Sequence, residues 1–394
     1  MEKNICKGFK AAGVVSGLKK KKAKDLGLIW SEVPANAAGV FTRNLVQAAP
    51  VILDRERLKS GRCQAVIVNS GNANCCTGKQ GMEDAAAMIR FAAAALNIPE
   101  SLVCAASTGV IGQPMPIHKI ETAMPDLAAS LSSEGLDDFA RAIMTTDLVP
   151  KVLTLKGETG GRTFSITAAA KGSGMIRPDM ATMLCFVCTD LEVPVDILQK
   201  TLVNSTNFSF NRITVDGDTS TNDTVLIMAN GMSGAVIKTE QDRALFQAML
   251  DEILMGMAKM MVKDGEGATK LVEIEVKGAL SDNDARAVAD TIAHSSLVKT
   301  ALFGEDANWG RIVAAAGRAG VYADPEKIDI YFNNIMMCKN SMTCGDKAEA
   351  EAAKVLKTPE FTITIDLNSG KGKASVFTCD FSIDYVKINA DYRS

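Results

Sequence analysis

Lys171-Gly172-Ser173-Gly174-Met175-Ile176-Arg177-Pro178-Asp179-Met180-Ala181-Thr182-Met183-Leu184 sets a loop bearing glycine and proline directly against a threonine, and that threonine opens the apolar run Met183–Cys188. A short apolar run behind a turn-forming loop reads as a buried strand. A hydroxyl thus stands at the mouth of a strand, behind a backbone that glycine frees for unusual geometry. If the Ala181–Thr182 bond were cut, Thr182 would carry a free α-amine beside its own hydroxyl, a nucleophile with a base built in. The plainer reading of Thr182 is a β-branched residue that starts a core strand and only packs.

The chain has two histidines, His118 and His294. His118 follows Gln113-Pro114-Met115-Pro116 and reads as a loop or helix-start residue; His294 lies in a helical stretch. Either could join a triad, because triads are spatial. Neither sits in a nucleophile-plus-base motif, and no G-x-S-x-G elbow appears. An α-amine can serve as base instead, since its ordinary pKa of about 7.7–8.0 lies near neutrality.

Length gives a prior of two or three domains with ample core for 394 residues. A net charge of −3 from 43 basic and 46 acidic residues carries no footprint of nucleic-acid or anionic-membrane binding. Lys19–Lys22 reads as a solvated loop. Lys3, Lys7 and Lys10 interrupt any signal-peptide core, and no stretch reaches the roughly 18 apolar residues of a membrane span. The expectation is a soluble, cytoplasmic protein.

Ten cysteines without a secretory signal read as reduced structural thiols. Cys185 and Cys188 form a lone C-x-x-C whose side chains a strand would send to opposite faces, and no second pair or nearby histidine completes a zinc site. Lys171-Gly172-Ser173-Gly174 lacks the full phosphate-loop pattern. Asp216–Asp223 resembles a calcium loop, but its glycine stands second and Ile227 occupies the place of the bidentate glutamate, so a turn held by Asp and Asn side chains fits better.

The coarse pattern is mixed α/β. Ala65–Val68 reads as a buried strand entering an Asn/Gly loop, and Leu102–Ala106 as a strand feeding Thr108-Gly109. Met82–Leu96 is an Ala-rich helix that ends near Asn97 and Pro99. Val152–Leu155 and Thr163–Ala169 form a hairpin around Gly157–Gly161; Val195–Ser205 is helical and Val225–Met228 a strand. Glu240–Val262 is a long helix, with Leu245, Met249, Ile253, Met257 and Met260 as its core stripe. Ser281–Leu297 is a further helix. Lys327–Phe332 and Phe361–Asp366 alternate as strands, with helix Ala348–Leu356 between them. Such a mixture suits sheet layers covered by helices.

Several stretches lie in order along the whole chain. They are Asn69-Ser70-Gly71-Asn72-Ala73-Asn74, Ser107-Thr108-Gly109-Val110-Ile111-Gly112, Met144-Thr145-Thr146-Asp147, the loop before Thr182, Asn211–Asp223, Asn308-Trp309-Gly310-Arg311-Ile312 and Ile388–Ser394. With them the chain resembles the ornithine acetyltransferase family of arginine biosynthesis, also called glutamate N-acetyltransferase.

The resemblance implies an α-β-β-α sandwich of the ornithine acetyltransferase or DmpA-like type, with a smaller C-terminal α/β part. It implies that Thr182 Oγ attacks the Ala181 carbonyl and splits the precursor into an α chain, 1–181, and a β chain, 182–394. Thr182 would then accept the acetyl group of N2-acetylornithine as an ester and pass it to glutamate, in ping-pong fashion. The Thr108 hydroxyl and the Gly109 N–H would form the oxyanion hole. Lys171, Thr145 (or its neighbour Thr146), Thr182, Glu266, Asn389 and Ser394 would hold the substrate. Relatives commonly end in Thr, so Ser394 keeps the hydroxyl and drops the methyl. Arg177 and Asp179 stand where smaller or neutral residues are common. The family assembles as α2β2 heterotetramers; some members also use acetyl-CoA as donor, and no residue here decides that. Side chains and backbone serve each step, so the reading calls for no cofactor and no metal.

Two other readings stay open on sequence grounds. One is a related N-terminal-nucleophile amidohydrolase or aminopeptidase, in which water takes the acyl group. The other is a non-catalytic binding or assembly protein that keeps the fold uncut.

Overall fold

A computed structural model describes residues 5–177 and 183–390. The chain divides into two units, the first over residues 1–211 and 218–261 and the second over 212–217 and 262–394.

The first unit holds an eight-stranded sheet. Its strands are β1 (Phe9–Val14), β2 (Leu26–Phe41), β3 (Arg62–Asn72), β4 (Val103–Val110), β5 (Lys151–Thr159), β6 (Arg162–Lys171), β7 (Leu184–Thr189) and β8 (Thr224–Ala229). They run in the order β4-β3-β2-β8-β7-β6-β5, with β1 also on β2. β2 decides the shape. Its first half pairs with β3 from Leu26↔Asn69 to Trp30↔Ala65, the register shifts between Trp30 and Ala35, and its second half pairs with β8 from Asn36↔Ala229 to Phe41↔Thr224. A register irregularity of this kind bends a strand and increases its twist.

The two halves of the sheet therefore share one interior. Ile29, Val66 and Val68 from β2 and β3 lie in the same buried cluster as Ala169, Phe186 and Leu226 from β6, β7 and β8. The opposite face of β2–β4 presents Leu28, Ile67 and Ala105. Against it pack α2 (Gly78–Leu96) through Met88 and Ile89 and α3 (Ile117–Ala129) through Ile120 and Leu127; α1 (Ala49–Arg57) adds Leu53. α4 (Leu136–Ile143) plugs the interior with Phe139, whose ring meets Phe186 edge-on at 5.6 Å. Replacing such a buried Phe by Ala typically costs about 3–5 kcal/mol.

The second outer layer comprises α5 (Val195–Phe208) and α6 (Glu240–Lys263). α6 seats tightly on β5, because a Cβ added at Gly157 would come within 2.6 Å of Met249 Sδ, and one at Gly256 within 2.6 Å of Leu153 Cδ1. The layers are thus helix, sheet, sheet, helix, the expected sandwich.

The second unit has a six-stranded sheet of β9 (Leu271–Ala279), β10 (Asp329–Phe332), β11 (Ile335–Lys339), β12 (Met342–Thr343), β13 (Glu360–Asp366) and β14 (Gly372–Cys379), in the order β12-β11-β10-β13-β9-β14. β9 alternates buried Val272, Ile274 and Val276 with outward Glu273, Glu275 and Lys277, as a sheet with one wet face should. Its inner face is covered by α7 (Asp282–Ala293), α8 (Ser296–Phe303) and α9 (Trp309–Gly317), with α10 (Asp346–Leu356) contributing Ala352 and Leu356. α11 (Ile383–Ala390) follows β14.

Most elements stand where the sequence places them, with local differences. The hairpin between β5 and β6 turns on Gly160 and Gly161 alone, both at positive φ, so Gly157–Thr159 belong to the strand. The stretch Ser281–Leu297 is two helices. Ser295 accepts the Val298 N–H and starts α8, just as Ser281 accepts the Asp284 N–H and starts α7. On α6 the expected Met249, Ile253 and Met257 are buried, together with Phe246, Leu250 and Leu254, whereas Leu245 is exposed and Met260 half-buried. The four-residue steps from Leu245 to Met257 drift around a helix of 3.6 residues per turn, which puts Leu245 at the margin of the core face. Among the described residues, no helix is long and apolar enough to cross a membrane.

Candidate active site

β3 and β4 run parallel and in register, Asn69↔Ser107, Ser70↔Thr108 and Gly71↔Gly109. The motif residues brace the ends of these strands. Ser107 Oγ donates to Asn69 Oδ1 at 2.6 Å, Asn69 Nδ2 to Asn72 O at 2.9 Å, and the Asn74 N–H to Asn72 Oδ1 at 2.7 Å. Asn222 Nδ2 reaches Ala73 O and Ser107 O, both at 2.7 Å. The Asn69 and Asn222 amides thereby satisfy the main-chain carbonyls of Asn72, Ala73 and Ser107.

At this braced edge Gly109 takes φ +136°, and a Cβ there would lie 2.4 Å from the Gly71 carbonyl carbon. Thr108 beside it is buried, and Lys171 Nζ, also buried, donates to Thr108 Oγ1 at 3.2 Å. Lys171 ends β6 and is paired with Leu184 of β7.

Asp147 ties the neighbouring loops together. Its Oδ1 accepts from Lys151 Nζ and from the Gly172 N–H, each at 2.7 Å, and its Oδ2 from the Thr145 N–H at 3.0 Å. Burial alone would raise the Asp147 pKa; the Lys171 and Lys151 cations, with the hydrogen bonds from Lys151 and Gly172, outweigh it and pull the group down to about 2. Asp147 is therefore ionised and compensates two buried lysines. Thr146 Oγ1 and Ser173 Oγ share a hydrogen bond of 2.7 Å. The segments carrying Thr145, Thr146, Lys171 and Ser173 are thus fastened to one another.

In the second unit Asn389 Nδ2 donates to Glu266 Oε2 at 2.8 Å, and Glu266 is 7% exposed. Asp380 holds the Glu266 loop by accepting from the N–H groups of Thr269 and Lys270 and from Thr269 Oγ1. Ser382 Oγ adds a bond to Gly267 O at 2.6 Å. Asn389 is a helical residue of α11.

Of the residues singled out in the sequence, Thr108, Gly109, Thr145 and Lys171 gather in the first unit, and Glu266 meets Asn389 in the second. Ala181, Thr182 and Ser394 lie outside the described residues, as does Asp179. Asp147, Lys151 and Asp223 carry no role in the sequence reading. Asp147 and Asp223 close two of the quoted motifs, and that position was the available signal.

The comparison with known proteins is extensive. The sequence profile of the ArgJ family matches residues 10–394. The arginine biosynthesis bifunctional protein ArgJ of Geobacter sulfurreducens is 50% identical over 390 residues, covering 98% of this chain and 99% of its own. Its namesake in Syntrophotalea carbinolica is 49% identical over 389 residues, with 98% and 99% covered. A solved chain of the Bacillus halodurans protein of that name is 44% identical with a TM-score of 0.50; it matches 52% of this chain and 97% of itself. With a profile match over nearly its whole length and such relatives, the chain belongs to the ArgJ family.

Proposed function

We propose that this chain carries an acetyl group from N2-acetylornithine to glutamate on the hydroxyl of Thr182, once the Ala181–Thr182 bond has been cut. Membership of the ArgJ family makes it an acyltransferase of arginine biosynthesis. The relatives bear the name bifunctional, which supports a second route to N-acetylglutamate with acetyl-CoA as donor, since either donor can load the same threonine.

One observation carries the site assignment. Lys171 pairs with Leu184, two residues beyond Thr182, and its Nζ bonds Thr108 Oγ1 beside the turned backbone of Gly109. A cation and two donors are thereby collected next to the segment that would begin with the nucleophile. In maturation Thr182 Oγ attacks the Ala181 carbonyl carbon, the C–N bond breaks, the α-amine takes the proton, and water hydrolyses the ester. In turnover Thr182 Oγ attacks the acetyl carbonyl and the α-amine accepts the hydroxyl proton. The Thr108 hydroxyl and Gly109 N–H receive the oxyanion, and ornithine departs with the returned proton. Glutamate attacks the ester and releases Oγ. Thr145, Lys171, Glu266, Asn389 and Ser394 hold the amino-acid ends of donor and acceptor.

A cut near the middle also agrees with the solved relative, whose polypeptide is about half as long as this chain. The reading carries with it an α chain of 1–181, a β chain of 182–394, an α2β2 assembly and a cytoplasmic site of action.

The test is mass spectrometry of active protein given N2-acetylornithine with and without glutamate. Expected are two polypeptides beginning at Met1 and Thr182, an acetyl adduct on the second, and acetyl transfer that requires glutamate. Acetate release independent of glutamate would identify a hydrolase instead. An intact chain, or normal turnover by Thr182→Ala, would overturn the proposal.

A further inference from the structure

The turn between β1 and β2 carries the run Lys19-Lys20-Lys21-Lys22-Ala23-Lys24. Asp25 behind it is wholly buried and fastens the turn. Its Oδ1 accepts from the Ser16 N–H at 2.6 Å and from Ser16 Oγ at 2.8 Å, and its Oδ2 from the Lys19 N–H at 2.9 Å. Lys119 Nζ of α3 donates to Gly17 O at 2.6 Å, and Lys19 Nζ to Lys24 O at 2.8 Å. Lys24 pairs with Asp138. These bonds fix both ends of the turn. Its tip is Lys20, Lys21 and Lys22, all exposed, and none of the three has an ion-pair partner among the described residues.

The same turn lies against the backbone of the proposed oxyanion pair. Asp25 O accepts the Ser70 N–H at 2.9 Å. A Cβ added at Gly71 would stand 3.3 Å from Lys19 Cγ and 3.5 Å from the Leu18 carbonyl. Gly71 is the residue opposite Gly109 on β4. Lys19 also senses the buried charges of the site: burial lowers its pKa, Asp25 and Asp147 act to raise it, and Lys171 lowers it further. The three exposed ammonium groups therefore follow directly on a residue that touches the site.

An amino-acid substrate has no use for them, since Lys171 already supplies a cation beside Thr108. Three like charges side by side repel one another, and a polyanion relieves that repulsion. Lysine holds phosphate as a compact point charge with three donors. The matching ligand carries an acyl group at one end of a long arm and phosphates at the other.

We propose that Lys20, Lys21 and Lys22 form the phosphate-binding site for a nucleotide-bearing acyl thioester, whose acyl end reaches Thr108 and Gly109. The proposal deepens the reading of acetyl-CoA as second donor and rests on it. N2-acetylornithine carries no phosphate and does not use the turn, so the lysines separate the two donors.

The test compares wild type with the triple variant Lys20→Gln, Lys21→Gln, Lys22→Gln. It alters exposed side chains and leaves Asp25, Ser16 and Lys19 in place. Coenzyme A itself is titrated by calorimetry at low and high salt. At low salt its Kd should rise roughly tenfold or more in the variant, the effect of losing even one hydrogen bond between charged groups. Added salt should weaken wild-type binding and barely change the variant, because exposed charges are screened. KM for acetyl-CoA should rise with Kd, while kcat and KM with N2-acetylornithine stay within about twofold, as for exposed charges that meet no ligand. Acetyl-pantetheine, the same thioester without the nucleotide, should serve both proteins alike. Equal coenzyme A affinity in the two proteins, a wild type that does not bind coenzyme A, or inorganic pyrophosphate bound as tightly as coenzyme A overturns the proposal. The titration needs no turnover, so it decides the site independently of the chemistry. A wild type that holds coenzyme A through these lysines yet transfers no acetyl from acetyl-CoA would instead defeat the second-donor reading.

Discussion

Lys171 Nζ donates a hydrogen bond to Thr108 Oγ1 across 3.2 Å in a buried setting. A hydroxyl has one proton and two lone pairs. With a lysine occupying one lone pair, the Thr108 proton is left to point elsewhere, and in the proposed mechanism it points at the oxyanion. Thr108→Val keeps the shape and removes the donor, so kcat should fall about 100- to 1,000-fold, the usual effect of losing one such donor. Lys171→Met should fall comparably. The double variant should lose much less than the sum, because the two residues act as one unit. Steady-state kinetics on the three proteins check this, and strict additivity would refute the coupling.

Gly109→Ala tests the turned backbone. The new Cβ would stand 2.4 Å from the Gly71 carbonyl carbon and 2.5 Å from the Asn72 nitrogen, at φ +136°. Both obstacles are main chain of the paired strand β3, so no side-chain rotation relieves them. The expected outcome is a loss of roughly 1–3 kcal/mol of stability or more, and an acyl-enzyme yield far below wild type in the fraction that folds. Urea titration and adduct counting read the two effects separately.

How far the sequence carried depended on the physics of each position. The Ala65–Val68 run announced β3, because a continuous apolar stretch belongs to a strand buried on both faces. Asn97 announced the end of α2 and takes φ +53° there. The break between α7 and α8 was hidden, since Ser295 caps a helix only once its hydroxyl is seen to accept the Val298 N–H. Thr108, Gly109 and Lys171 were found through their motifs, and their contact was not visible in the spacing. Asp147 and Lys151 drew no reading from the sequence, because nothing in their spacing shows that their ion pair is wholly buried. Asp223 sat in an Asp- and Asn-rich stretch that reads as a turn; only the folded register puts its carboxyl against Met183.

Asp54 offers a stability test away from the chemistry. Its Oδ1 accepts the Ala105 N–H at 3.1 Å, and burial raises its acid from 3.8 to about 8, against the lowering effect of that bond and of Arg57. The folded state therefore holds this proton more tightly than the unfolded chain. Stability is greatest below the unfolded pKa, declines as pH rises towards 8, and is level beyond. Asp54→Asn keeps an oxygen acceptor and cannot ionise. Its stability relative to wild type should climb with pH across that window, by up to about 1.4 kcal/mol per pH unit. Urea midpoints at several pH values check it, and parallel curves for the two proteins would contradict it.

Asp147 has the opposite sign. Its folded pKa of about 2 lies below the ordinary 3.8 because Lys171, Lys151 and the Gly172 N–H outweigh its burial. The stabilisation is complete above the unfolded value and is lost as pH falls from about 4 towards 2, an amount on the order of 2 kcal/mol. Asp147→Asn removes the charge that Lys151 pairs with at 2.7 Å, both side chains being fully buried. Stranding a buried lysine typically costs about 3–5 kcal/mol, so the variant should be much less stable near neutrality. Because the missing carboxylate can no longer be protonated, the gap between variant and wild type should narrow on acidification through that same window. Loosening of the Thr145 and Gly172 backbones should also lower activity in whatever fraction stays folded. Paired denaturation curves from neutral pH down to the acid limb measure the gap, and a gap that stays constant would mean that the ion pair does not set the acid stability of the fold.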